Sequence, residues 1–263
     1  AFRNLHCNQR IDSNSPLIAR ADWMACKAEG EQLTPGEEIY LGLDLSGKTD
    51  LTALVAVSAN DGDRVKAWFW KPDDTLEEHE NRDRVPYKLW RDQSIIETTP
   101  GRAIQYSWVA DRLGKIAAEY EIKGVAFDRY RIDDLLAALG DLGIDAYIDG
   151  KDNAMSGGIR MIPWGQGFKD MAPAVEAMEV SGLEASLKHE GNPCLTWNIS
   201  NAYGVSDPAG NRKIDKSKSR FRIDGAVSLA MALGLKSRDL AQEPELSAYE
   251  GMTAAEIMGQ IAI

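Results

Sequence analysis

The chain has 263 residues, 44% hydrophobic and 27% charged, a composition that suits one large globular domain or two small ones. Thirty Lys and Arg against 41 Asp and Glu give a formal net charge of −11, which excludes bulk electrostatic attraction as the basis of nucleic-acid binding. No apolar run is long enough to cross a bilayer, and the first residues do not read as a signal segment. The three cysteines (Cys7, Cys26, Cys194) and three histidines (His6, His79, His189) are scattered, with no zinc or disulfide spacing. Any metal chemistry is therefore expected to rest on carboxylates and hard cations.

The chain starts Ala1-Phe2-Arg3 without a methionine, which suggests a processed chain or a piece of a longer one. Residues 1–38 are polar and irregular, with a short helix expected near 21–28, and read as a linker. Strands follow at 39–45, 51–58 and 64–71, with an Asn60-Asp61-Gly62-Asp63 turn between the last two. Gly42 to Thr49 satisfies G-x-x-x-x-G-K-[ST], the pattern of a phosphate-binding loop. Such a loop opens into a helix, whereas Leu51-Thr-Ala-Leu-Val-Ala-Val57 reads as a strand. Leu43, Asp44 and Leu45 would also crowd and repel a polyphosphate. The segment is expected to be a strand-to-strand loop.

Residues 72–101 are charged and turn-rich, with a short helix expected near 86–93. Helical periodicity covers 104–120, and a buried strand at 124–127 ends at Asp128. A helix at 131–140 and a strand at 144–148 follow, then a helix at 167–182 whose Pro173 should disturb its first turn. Strand-like pieces are expected at 185–188 and 194–197. Residues 211–222 carry six basic side chains and one acidic one, and lead into a nearly uncharged helix over 222–235. Residues 238–263 read as a tail with one weak helix. A three-strand meander followed by βα units implies a mixed sheet with helices on both faces, the layout of a ribonuclease H-like α/β fold over 39–237.

Three carboxylates stand out because their neighbours are apolar: Asp44 on the first strand, Asp128 after the buried strand, and Asp224 before the last helix. Singly, each has an ordinary reading as a turn or helix-cap residue. In a sheet of this order they would converge, and like charges about 4 Å apart repel by roughly 4 kcal/mol at an effective dielectric of 20. Such a cluster suits Mg²⁺ or Mn²⁺, and two such ions can hydrolyse a phosphodiester. Asp50 is a candidate fourth member. Basic residues Arg212, Lys213, Lys216, Lys218 and Arg220 are candidates for contacting DNA phosphates, with little sequence specificity.

The segments YLGLDLSGKTDLTALV, FWKPDDTLEEHENRDRVPYKLW, TPGRAIQY, VAFDRYR, PWGQGFKDMAPAVEAME and DKSKSRFRIDGAVSLAMALG together resemble the nuclease domain of a tailed-bacteriophage terminase large subunit. The opening FRNLHCNQRID resembles the segment joining that family's ATPase and nuclease domains. The resemblance implies a metal-dependent endonuclease that cuts concatemeric viral DNA during packaging in the host bacterial cytoplasm. It implies Asp44, Asp128 and Asp224 as ligands of a two-metal Mg²⁺ or Mn²⁺ site, with Asp50 as an auxiliary carboxylate. Implied partners are double-stranded DNA and, in the full motor, the portal protein and small terminase subunit, with no membrane. The motor's ATPase belongs N-terminal to this region, so this chain is not expected to hydrolyse ATP. An isolated domain is compatible with a monomer, although the family works as a ring. The competing readings are a non-catalytic docking module for portal or capsid and another ribonuclease H-like nuclease such as a junction resolvase. A sugar-kinase reading would need a second, repeated half, which the sequence lacks.

Overall fold

The computed structural model describes residues 16–47, 50–60, 62–150, 157–216, 219 and 221–242. In chain order the elements are α1 (Arg20–Ala25), β1 (Glu38–Asp44), β2 (Thr52–Ser58), β3 (Asp63–Pro72), α2 (Leu76–Asp83), α3 (Tyr87–Asp92) and β4 (Glu97–Thr99). There follow α4 (Tyr106–Glu119), β5 (Glu121–Phe127), α5 (Ile132–Asp141), β6 (Ala146–Ile148), β7 (Ile159–Pro163) and α6 (Phe168–Leu183). The last are β8 (Leu187–His189), α7 (Pro193–Asn201), β9 (Gly204–Ser206), β10 (Arg212–Ile214) and α8 (Asp224–Gln242).

The main sheet runs β4-β3-β2-β1-β5-β7-β6, and β8 pairs with the start of β3. The pairs β1–β2 and β2–β3 are antiparallel, as a meander requires, while β5 joins β1 in parallel and β7 and β6 continue in parallel. This is the expected ribonuclease H-like mixed sheet. Helices cover both faces, so β2, Thr-Ala-Leu-Val-Ala-Val-Ser, is buried throughout and shows no alternation. Helices α4 and α5 pack on one face, while α8 crosses β1, β2 and β5 on the other with α6 behind it.

Strand parity decides which side chains meet α8. Along β1, Ile39, Leu41 and Leu43 enter the α4/α5 core and Tyr40 the α8 core, which puts Gly42 and Asp44 on the α8 side. Along β5, Val125 and Phe127 face α4/α5 and Ala126 faces α8, so Asp128 follows on the α8 side. Leu43 pairs with Phe127, placing Asp44 and Asp128 at the same level of adjacent strands. Gly42 lets the helix come close: a Cβ there would lie 1.9 Å from the Ser228 carbonyl oxygen of α8.

Several expectations are corrected. Residues 194–197 are not a strand; they lie in α7, whose Asn192 side chain accepts the Leu195 N–H at 3.0 Å and whose first residue is Pro193. Its buried Cys194, Leu195, Asn198 and Ile199 repeat with helical spacing. The last helix extends to Gln242, past the expected end at 235, because Lys236 is tied to Asp63 at 2.8 Å beyond the apolar run. Pro173 lies inside α6, which runs unbroken from Phe168. The expected linker is partly packed: Leu17, Ile18, Trp23 and Cys26 are buried, and Trp23 stacks on His189 at 4.0 Å between ring centroids. Five elements, α2, β4, β7, β9 and β10, lie outside the sequence expectations. Residues 1–15 and 243–263 lie outside the described residues.

Gly42→Ala should force β1 and α8 apart and cost about 2–3 kcal/mol or more, since the clash is with backbone. Urea denaturation of the variant beside wild type checks this.

Candidate metal centre and nuclease site

Asp44 closes β1, Asp128 follows the last residue of β5, and Asp224 opens α8. The start of α8 is fixed by buried Asn198, whose side-chain oxygen accepts the Gly225 N–H at 2.9 Å. The loop carrying Asp50 is fixed as well. Ser46 N–H donates to Thr52 Oγ1 at 3.0 Å, and Ser46 Oγ donates to the Asp50 carbonyl at 2.9 Å. This loop joins two antiparallel strands, as expected, and no helix begins there to cradle a phosphate; Lys48 and Thr49 lie outside the described residues.

A cleft of about 500 Å³ is lined by Asp44, Asp50, Asp128 and Lys216, with Tyr130 and Arg131 at its wall. Asp224 and Asp50 line the adjoining depression, again with Lys216. The predicted carboxylates thus line two adjoining depressions, Asp44 and Asp128 in one, Asp224 in the other, and Asp50 in both. Asp44 and Asp224 are almost fully buried, at 2% and 4% exposure. The Lys216 ammonium donates to Asp44 Oδ2 at 2.6 Å and reaches Asp224 Oδ1 at 3.4 Å. Asp224 Oδ2 is buried without a hydrogen-bond partner among the described residues.

Burial pushes the Asp44 carboxyl above its usual range; Lys216 opposes the shift, and the charges of Asp224 and Asp128 add to it. Burial raises Asp224 too, against the pull of Lys216 and with the charge of Asp50 adding. The Lys216 ammonium is itself held more firmly protonated: the attraction of Asp44 and Asp224 outweighs its own burial. Among the described residues, the cleft and the adjoining depression set the four carboxylates Asp44, Asp50, Asp128 and Asp224 against Lys216, Arg131 and Arg222. That lining is short of positive charge.

Among the described residues no three acidic, histidine or cysteine side chains are already gathered as a finished metal site. The donor set still fits a hard divalent cation: oxygen-only ligands, a buried carboxylate oxygen without a partner among the described residues, and carboxyls raised by burial, with neighbouring carboxylates adding.

A second charge network adjoins the first. Lys71 has no exposed surface; its ammonium is 3.8 Å from Asp83 Oδ2 and 4.9 Å above the Tyr87 ring. Asp83 accepts Arg82 through both oxygens, at 2.7 and 2.9 Å, and the Tyr87 hydroxyl at 2.9 Å. Arg222 bridges the two networks, donating to Asp50 and, at 3.4 Å, to Asp83. Burial would raise Asp83, but Arg82, Arg222, Lys71 and Tyr87 hold it at about 2. Burial lowers Lys71 to about 8 despite Asp83. The sequence reading missed this network. Its signal was a lysine directly after the apolar run Ala67-Trp-Phe-Trp70.

Of the expected DNA-contacting residues, Arg212 on β10 pairs with Glu179 and Lys213 lies 5.1 Å over the Phe168 ring. Lys216 is engaged by the carboxylates. Lys218 and Arg220 lie outside the described residues.

Residues 1–239 match the family model described as terminase large subunit, endonuclease domain. This chain belongs to the terminase large-subunit endonuclease family. It is 39% identical over 245 residues to the terminase large subunit of Enterobacteria phage HK97, covering 92% of this chain and 45% of that protein. The crystal structure of the HK97 large terminase superposes with a TM-score of 0.73 over 89% of this chain and 46% of that one. Protein YmfN of Escherichia coli K12 is 23% identical over 247 residues, 89% of this chain and 51% of that protein. The chain thus spans about half the length of the curated relatives it matches. No helix among the described residues is long and apolar enough to cross a membrane.

Asp83→Asn would strand buried Lys71 and should cost about 3–5 kcal/mol near neutral pH. Because the folded carboxyl is depressed, the stability it contributes is complete above the unfolded value of about 3.9 and is lost as pH falls through about 2. Chemical denaturation of variant and wild type from neutral pH down through that window checks the size and the sign.

Proposed function

We propose that this nuclease domain hydrolyses DNA phosphodiesters with divalent-cation assistance, at the cleft lined by Asp44, Asp50 and Asp128 and the adjoining depression lined by Asp224. The observation that carries this reading is the buried pair Asp44 and Asp224 bridged by the Lys216 ammonium. Asp44, Asp128 and Asp224 would hold a pair of Mg²⁺ or Mn²⁺ ions, with Asp50 as an outer carboxylate. Ions of this kind supply activation of water and neutralisation of charge at the leaving oxygen.

The chain's own residues do the rest. Lys216 donates to oxygens of Asp44 and Asp224 that would also be cation ligands, and its ammonium lines the cleft, where a backbone phosphate would be a natural further partner. Arg212, Lys213, Lys218 and Arg220 would extend that phosphate contact along the duplex without reading bases. Net acidity makes the domain's own grip on DNA weak and salt-sensitive. Within a longer terminase that works with portal and small subunit, DNA would be delivered by the motor, and the domain would cut concatemeric genomes during packaging. Family membership supports that assignment.

The test is plasmid cleavage with Mg²⁺, Mn²⁺ or EDTA. Wild type should nick or linearise the plasmid only with metal. Asp44→Asn and Asp224→Asn should each lose about two orders of magnitude or more, since even outer-shell partners of a metal are felt at 10–100-fold. Cleavage persisting in EDTA, or unchanged in both variants, would refute the reading.

A further inference from the structure

The cleft has a wall from a part of the chain distant in sequence from the basic run 212–220. It is built by the segment between β5 and α5. Asp128 Oδ1 accepts the Tyr130 N–H at 3.3 Å, so this segment turns directly off a carboxylate of the centre. Arg131, at the N-cap of α5, has left-handed backbone, with φ of 54° and ψ of 24°. That conformation is unfavourable for a side chain of this size and is the natural place for glycine or asparagine. The site therefore carries an arginine at a position where local backbone preference argues against one.

The Arg131 guanidinium is held over the cleft by neighbours. Its Nε donates to Asp134 Oδ2 at 2.8 Å, and its Cζ lies 5.8 Å from the Tyr106 ring centroid. Tyr106 in turn donates its hydroxyl to the Ser46 carbonyl at 2.7 Å, tying this wall to the loop after β1. A Cβ on Gly47 would lie 3.4 Å from both Arg131 Nη1 and the Tyr130 hydroxyl, so both polar tips rest against that loop. Tyr130 is 55% exposed.

Charge gives the wall its meaning. Among the described residues, two basic groups at the centre are paired with acids: Lys216 with Asp44 and Asp224, Arg222 with Asp50 and Asp83. The Arg131–Asp134 pair is half-exposed on both sides, the class of ion pair that contributes least to stability and exchanges partners most easily. A planar guanidinium beside an acidic cleft suits a phosphodiester, which it can take through two parallel hydrogen bonds.

We propose that Tyr130 and Arg131 form a DNA-holding rim, in which Arg131 takes a backbone phosphate flanking the one to be cut and the Tyr130 hydroxyl hydrogen-bonds the same strand. This rests on the nuclease reading above, and deepens it by naming positioning residues on a second element.

Arg131→Gly separates the rim from a purely structural role, because glycine suits the left-handed backbone while removing the guanidinium. Duplex binding by fluorescence anisotropy in EDTA, over a series of salt concentrations from low ionic strength, is measured beside thermal melting and Mn²⁺-dependent plasmid cleavage. The expected result is an unchanged or raised melting temperature and affinity lower by about 3–10-fold. The salt slope should be shallower by about one counterion. Arg131→Lys should recover the slope and only part of the affinity. If wild type cuts DNA but Arg131→Gly binds with wild-type affinity and slope, the rim is wrong and the nuclease reading stands. If wild type neither binds nor cuts DNA, the nuclease reading fails and takes the rim with it.

Discussion

The molecule depends on the burial of two carboxylates around one ammonium. Asp44 and Asp224 are forced together by packing, not by attraction for each other. Strand parity aims Asp44 at the α8 face, and the glycine at 42 lets α8 settle against the strand backbone. Asn198 then fixes the first turn of that helix, where Asp224 stands and where the helix dipole favours a negative group. Each of these contacts is ordinary core packing. Their sum is a pocket whose described lining holds more carboxylates than cations, four against Lys216, Arg131 and Arg222, and that imbalance is the physical basis for reading it as a cation site.

The adjoining network shows the opposite balance. Around Asp83, cations outnumber the acid, and its carboxyl is held low where Asp44 and Asp224 are raised. Arg222 connects the two, two residues ahead of Asp224 and in contact with Asp50. The surplus of positive charge on one side of Arg222 thus meets the deficit on the other. That arrangement holds the entry to α8 in place through charge as well as through Asn198, and makes α2 and α3 part of the site's support.

Much of this was legible in the sequence, for identifiable reasons. The three meander strands and the helix over 104–120 follow from apolar runs and periodicity, and the false phosphate loop was exposed by the strand that follows it. Asp44, Asp128 and Asp224 were visible because each breaks or borders an apolar run. What stayed hidden depends on polar residues facing inward. The buried face of α2 is Leu76, His79 and Asp83, two of them polar, so no hydrophobic pattern marks it. The strand β7 has only five residues. The helix α7 was masked by strand-like composition, although Asn192-Pro193 is a helix-start signature. The engagement of Lys216 by the carboxylates depends on tertiary approach alone, and spacing within a basic run cannot reveal it.

The most direct measurement is calorimetric titration of the intact chain with Mn²⁺, read beside its melting temperature and beside Asp224→Asn. A pocket short of positive charge should bind Mn²⁺, and at 100 times the dissociation constant the folded state should gain about 2.7 kcal/mol. Asp224→Asn should lose most of the binding and most of that stabilisation. A wild-type chain that takes up no Mn²⁺ and melts at the same temperature with and without it would contradict the cation site at its root.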